Sequence, residues 1–120
     1  MSDDDAWPAR FIVAPAKVTD YLLSADHPEG GPKAAFLKQF GFTAANPLDL
    51  YHALISHSQR ENFAGTIEGH KALKLYFHGL LFSLTPEQPN VRTVWQLDEG
   101  DASRTARFIT LKPLPKLPVR

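Results

Sequence analysis

Leu73-Lys74-Leu75-Tyr76-Phe77-His78, and beyond a turn Val91-Arg92-Thr93-Val94-Trp95-Gln96-Leu97-Asp98, decide the fold. In the first stretch Leu73, Leu75 and Phe77 alternate with Lys74, Tyr76 and His78. In the second, Val91, Thr93, Trp95 and Leu97 face away from Arg92, Val94, Gln96 and Asp98. A period of two is the mark of a strand with one buried face. The link from Thr85 to Asn90 carries two prolines and reads as a turn. Leu80-Leu81-Phe82 breaks the alternation and implies a strand buried on both faces, or a bulge at Gly79. After Glu99-Gly100-Asp101 a last strand is expected over Arg107 to Lys112. Pro113, Pro115 and Pro118 then take the chain out of the sheet.

Upstream of Phe63 the period becomes helical. Pro15 suits a first helical turn, and Val18, Tyr21, Leu22 and Ala25 follow at i, i+3, i+4, i+7. A turn cluster, Asp26-His27-Pro28-Glu29-Gly30-Gly31, precedes a second helix opened by Pro32, with Phe36, Leu37 and Phe40 on one face. Gly41 reads as its left-handed cap, with Phe42 packing back. Asn46-Pro47 starts a third helix, with Asp49 in its first turn and Leu48, Tyr51, Leu54 and Ile55 as the expected buried stripe. The expected fold is α+β, with three N-terminal helices packed on one face of a C-terminal antiparallel sheet of three to four strands. Short turns argue against parallel crossovers. Phe11-Ile12-Val13 reads as an edge strand at most. Residues 1–10 are expected to be a flexible leader, 11–113 one domain, and 114–120 a Pro-rich basic tail.

The chain has 120 residues, 43% of them apolar and 22% charged, which suits a single core. No apolar run approaches a membrane span, and the acidic start Asp3-Asp4-Asp5 is wrong for a secretory signal. There is no cysteine, so disulfides, thiolate metal sites and a cysteine nucleophile are excluded, and a cytoplasmic setting is expected. Net charge is zero, yet the last seventeen residues hold Arg104, Arg107, Lys112, Lys116 and Arg120 and no acid. Such a segment is either a solvated tail or an electrostatic foot for an anionic partner.

No phosphate loop, dinucleotide fingerprint, zinc-protease motif or nucleophile elbow occurs. His52 and His57 are five residues apart, point to different helix faces, and read as surface residues rather than as metal ligands. Neither a metal nor a cofactor is expected. Cleavage of RNA by its own 2′-hydroxyl remains open, because it needs only a base, an acid and a cation. Candidate catalytic residues are Lys33, His70, Lys71, Arg92 and Thr110. Arg92 is a bidentate phosphate ligand by type, and His70 is of the side-chain type suited to acid–base work. Candidate substrate-binding residues are His27 and Gly31, in a Gly-rich turn leading to a helix N-terminus, Trp95 as a stacking platform or as core, and Lys112.

The residues Tyr21-Leu22-Leu23, Asp26-His27-Pro28, Gly31-Pro32-Lys33-Ala34, Phe36 and Gly41-Phe42 resemble a bacterial family called domain of unknown function 6883. The likeness continues at Gly69, Lys71, Val91-Arg92-Thr93-Val94-Trp95, Arg107-Phe108-Ile109-Thr110 and Pro113, and so spans about residues 12–113. Members of that family look like small proteins encoded beside another small gene, or C-terminal modules of phage head-morphogenesis and polymorphic-toxin proteins. The resemblance implies a toxin-like effector and singles out Lys33, Gly69, Lys71, Arg92, Thr93 and Thr110. The chain departs from the family at Ala106, where Pro is usual, and at Lys112, where Tyr is usual. Helices followed by a meander are also similar to barnase-like and RelE-like ribonuclease toxins, by fold analogy alone.

The expectation is therefore a toxin-type effector, acting as a metal-independent ribonuclease, with RNA and a cognate small protein as partners. The alternative is a non-enzymatic binding module: an antitoxin, an immunity protein or a phage-derived accessory protein. A third reading is an enzyme acting on a protein or a nucleotide. Oligomeric state is left open. Convergence of Lys33, Arg92 and Thr110 on one concave site separates the readings.

Overall fold

The computed structural model describes residues 7–116. Strand β1 (Arg10–Ile12) comes first. It is followed by a helical turn, α1 (Pro15–Lys17), that passes into a π-helical turn over Val18–Leu22. Helices α2 (Gly30–Lys38) and α3 (Pro47–His57) come next, then a 3₁₀ turn over Arg60–Asn62. Strands β2 (Phe63–Gly69), β3 (Ala72–Leu80), β4 (Asn90–Asp98) and β5 (Thr105–Pro113) follow and are the last elements among the described residues.

The class is α+β, but the expected arrangement is overturned. The chain forms one five-stranded mixed sheet in the order β1-β5-β4-β3-β2. Its helices are few, short and enclosed between the first strand and the last four. β2 to β5 form an antiparallel meander, whereas β1 pairs parallel with β5, Phe11 opposite Ala106. The connection between this parallel pair is long: it runs through the whole helical segment and then through β2, β3 and β4. β2 carries no alternation to read, because it is the outermost strand and is exposed along most of its length.

The alternation of β3 and β4 is realised at its centre, where Leu75, Phe77, Val91, Thr93 and Trp95 are buried, but Val94 on the opposite face is buried too, and Leu73 and Leu97 are only partly so. Leu75 pairs with Trp95 and Phe77 with Thr93, and all four are buried beneath the helices. Register runs unbroken through Gly79, so the bulge expected there is absent. Register shifts instead between Phe63 and Gly65 and between Val94 and Trp95. Leu81 is buried, but Leu80 and Phe82 on either side are exposed, so this run is not a two-faced buried strand.

Around that sheet face the core gathers Val18, Leu22, Leu37, Leu50, Leu54, Phe108 and Leu111. α3 is rotated relative to its expected stripe: Leu50, Ala53, Leu54 and His57 are buried, whereas Leu48 is 66% exposed. Gly41 does close α2 with φ +91, and Phe42 packs back, its N–H donating to the Leu37 carbonyl at 3.2 Å.

Residues 1–6 of the expected leader and 117–120 of the expected tail lie outside the described residues. Trp7 packs edge-on against Phe11, Phe63 and Phe77, and its carbonyl accepts a hydrogen bond from Arg104. Leu114 donates its N–H to the Asn90 carbonyl at 2.8 Å, which holds the start of the tail to the sheet. Among the described residues no helix is long and apolar enough to cross a membrane.

Candidate functional site: a tyrosine–lysine–threonine groove at the edge of the sheet

Below its short pairing with β1, β5 has no strand on its outer side, and the π-helical turn lies against it there. The wider π turn brings Tyr21 to the sheet edge. Its hydroxyl lies 2.7 Å from Thr110 Oγ1 on β5. Lys33, one turn into α2, donates from Nζ to Tyr21 OH at 2.8 Å and to Thr110 Oγ1 at 2.7 Å. Three polar atoms from three elements thus close a triangle. An ammonium group has three N–H donors, so one remains for a ligand.

Partial burial opposes ionisation of the Tyr21 phenol. The hydrogen bonds from Lys33 and Thr110, with the Lys33 charge, outweigh both that effect and nearby Glu29, and hold the phenol below its usual 10.0. Lys17 and Lys33 each place Nζ 5.2 Å from the Tyr21 ring centre. The groove around the triangle encloses about 650 Å³ and is also lined by Lys17, Asp20, His27, Glu29 and Lys112.

His27 is fixed by the turn that leads into α2. Its Nδ1 accepts the backbone N–H groups of Glu29 and Gly30 at 3.0 and 2.9 Å. The ring proton therefore sits on Nε2, and the ring stands edge-on to Tyr21 at 5.0 Å. Gly30 and Gly31 permit this close turn: a Cβ on Gly30 would meet the Tyr21 carbonyl at 1.9 Å, and one on Gly31 the Ala25 carbonyl at 2.8 Å. Gly31 itself lines a neighbouring cavity rather than this groove.

The other expected site residues divide. Arg92 lies on the open face of the sheet, directly across from Lys112 on β5. Its Nε donates to His78 Nε2 at 2.8 Å, and its guanidinium lies 5.4 Å from the Tyr76 ring centre. Burial and the Arg92 charge both lower the His78 pKa. Arg92 thus shares a face with Thr110 and Lys112 but occupies a separate, smaller groove. His70 and Lys71 form the exposed β2–β3 turn, with Lys71 at φ +57, and lie outside both grooves.

Trp95 is fully buried, so it is core and offers no stacking surface. Its Nε1–H donates to Thr93 Oγ1 at 3.0 Å. His57, expected at the surface, is 2% exposed. Its Nε2 donates to the Gly79 carbonyl at 3.0 Å, which leaves Nδ1 to accept the Thr93 hydroxyl at 2.8 Å. Every donor in this buried chain has one acceptor, and burial lowers the His57 pKa. Among the described residues no cluster of three or more His, Asp or Glu is placed to hold a metal ion.

Tyr21 is not among the candidates read from the sequence, because its spacing from Val18 and Ala25 marks it as core, against which its ring does pack. The available signal was its hydroxyl, which a sheet-facing tyrosine must satisfy.

This fold has a solved counterpart. One chain of a contact-dependent growth inhibition toxin–immunity protein complex from Klebsiella pneumoniae 342 superposes with a TM-score of 0.68, covering 96% of this chain and 100% of that one, at 10% identity. No curated relative matches the sequence. The chain belongs to the family described as Domain of unknown function (DUF6883), whose model matches residues 8–115.

Proposed function

We propose that the protein is a toxin-type effector that cleaves RNA without a metal, with Tyr21, Lys33 and Thr110 as its reactive group. The observation that carries this reading is the hydrogen-bonded triangle of Tyr21 OH, Lys33 Nζ and Thr110 Oγ1, open to a groove lined by further lysines. Tyr21 as phenolate takes the proton of a ribose 2′-hydroxyl. That oxygen attacks the adjacent phosphorus, and the bond to the 5′ oxygen breaks. Lys33 uses its remaining N–H on a phosphoryl oxygen, where the pentacovalent state gathers charge. Lys17 or Lys112 supplies the proton to the leaving oxygen. Thr110 holds the phenol and the ammonium in register. His27, with Nδ1 committed to two backbone amides, acts as a fixed N–H donor. Arg92 binds a neighbouring phosphate, and the cell's cytoplasm is the site of action. The fold likeness to a chain from a toxin–immunity complex supports a toxin-like or immunity-like role and a small protein as natural partner.

Controlled expression in a bacterial host tests this. Wild type is expected to arrest growth and fragment RNA, with both effects lost in Tyr21→Phe and Lys33→Met. Arrest with intact RNA would discard the nuclease.

One feature favours a second reading, that of a non-enzymatic immunity or antitoxin module. Phe82 and Leu84, after β3, are 71% and 58% exposed, as a protein-docking loop would be. Normal growth on expressing a folded wild type would favour this reading.

A further inference from the structure

The face of the sheet opposite the helices is open, and its chemistry is uneven. Cross-strand pairing assigns its members. Tyr76 opposes Val94, which opposes Thr110. His78 opposes Arg92, which opposes Lys112. Two adjacent rows therefore run from the middle of the sheet to the Tyr21–Lys33–Thr110 groove. Along β1, β3, β4 and β5 the charged side chains on this face are Arg10, Lys74, Arg92, Arg107 and Lys112 against a single acid, Asp98, which is paired with Arg107 at 3.3 Å. The local surface is thus cationic although the whole chain is neutral.

At the far end of those rows a cavity of about 270 Å³ is lined by Gly65, Ile67, Tyr76, His78 and Arg92. Gly65 sits at the bulge of β2, and a Cβ there would meet nothing within 4 Å, so the floor is bare backbone. Ile67 stands 58% exposed as an apolar wall. Tyr76 presents a half-exposed ring with the Arg92 guanidinium over it. Arg92 commits Nε to His78, while its two terminal nitrogens make no hydrogen bond among the described residues. A flat, weakly polar ring bearing hydrogen-bond acceptors is the shape and chemistry this cavity admits. A ring stacked near a tyrosine and a guanidinium is how single-stranded nucleic acid is commonly held.

We infer that the Gly65–Tyr76–Arg92 cavity is a nucleobase subsite, taking an unpaired base of a single-stranded RNA whose backbone crosses β4 and β5 into the Tyr21–Lys33–Thr110 groove. This rests on the RNA reading above and adds a substrate requirement to it: one unpaired base beside the reacting phosphate. Two strand spacings, roughly 10 Å, separate the strands carrying Tyr76 and Thr110. Arg92, between them on β4, reaches both the base and a phosphate next to it.

The test uses the intact protein and a short 2′-O-methyl RNA, which has no free 2′-hydroxyl and stays uncleaved. Fluorescence anisotropy measures binding to wild type, Tyr76→Leu and Lys33→Met, each checked for native circular dichroism. Stacking of one base predicts about tenfold weaker binding for Tyr76→Leu. A version of the oligonucleotide with one base removed, tried at each position in turn, is expected to lose a similar factor on wild type at one position and little on Tyr76→Leu. Wild-type affinity in Tyr76→Leu, together with loss in Lys33→Met, would overturn the subsite and leave the groove reading standing. No binding of the oligonucleotide by wild type would overturn both. Equal competition by poly-glutamate would make the face a site for acidic protein and overturn the subsite.

Discussion

Lys33 Nζ donates a 2.8 Å hydrogen bond to the hydroxyl of Tyr21, twelve residues earlier, across the turn that links the π-helical segment to α2. The bond makes Tyr21 more acidic than an ordinary tyrosine. In Lys33→Met the donor and its charge both disappear, while burial still opposes ionisation. The phenol of Tyr21 is therefore expected to titrate at higher pH in the variant. An ultraviolet titration of wild type against Lys33→Met, with Tyr21→Phe to identify the signal, checks this.

The same shift sets the pH dependence of activity. A base whose value lies below 10.0 is ionised in a larger fraction near neutrality than a free tyrosine is. Activity is expected to rise with pH through the lowered Tyr21 value. Weakening the Lys33 bond is expected to move that ascending limb upward. A profile of kcat/KM against pH for wild type and Lys33→Arg reads it, since arginine keeps the charge but changes the donor geometry.

Thr93 joins two buried partners, taking the Trp95 N–H and giving its own proton to His57. Thr93→Val keeps the shape and strands both partners. The cost is roughly 1–3 kcal/mol for each group left unpaired, measurable as a lower urea midpoint.

His57 also ties stability to pH. Its folded value lies below 6.5, because burial disfavours the charged ring. Above 6.5 neither state binds the proton, and stability is full. As pH falls below 6.5 the unfolded chain takes up a proton that the folded chain refuses, so stability declines until the folded value is reached. Urea unfolding at a series of pH values should show this slope in wild type and a smaller one in His57→Gln.

Gly41 occupies the left-handed region at φ +91, and a Cβ there would stand 2.7 Å from Leu84 Cβ. Gly41→Ala is expected to destabilise the fold by more than about 1 kcal/mol. His70→Ala, in the exposed β2–β3 turn, is expected to leave stability and activity unchanged.

The strands that bury one face were legible because burial writes a period of two: Leu73, Leu75 and Phe77 on β3, and Val91, Thr93 and Trp95 on β4. β2 writes none, since both of its faces and one edge meet solvent. The parallel place of β1 was hidden because Phe11 and Ile12 form too short a run to reveal their partner, and only the intact core brings Ala106 beside them. α3 was read out of phase because Leu48 looks like the start of an apolar stripe, yet it lies outside the contact that Leu50 and Leu54 make. Of the site, Lys33, Thr110, His27 and Lys112 were legible as residue types, but 77 positions separate Lys33 from Thr110, and no local pattern carries such a contact. The Tyr21 ring does pack against the core, as its helical spacing implies, but spacing says nothing of where its hydroxyl ends; His57, read as a surface residue, is buried.

Purified protein incubated with single-stranded RNA in the presence of a chelator tests the central claim most directly, with products analysed for 2′,3′-cyclic phosphate ends. Wild type is expected to cleave and leave those ends, and Tyr21→Phe, folded to the same degree, is expected to lose about 10²-fold or more of the rate, as removal of a general base does. Undiminished cleavage by Tyr21→Phe, or no cleavage by folded wild type, would contradict the account.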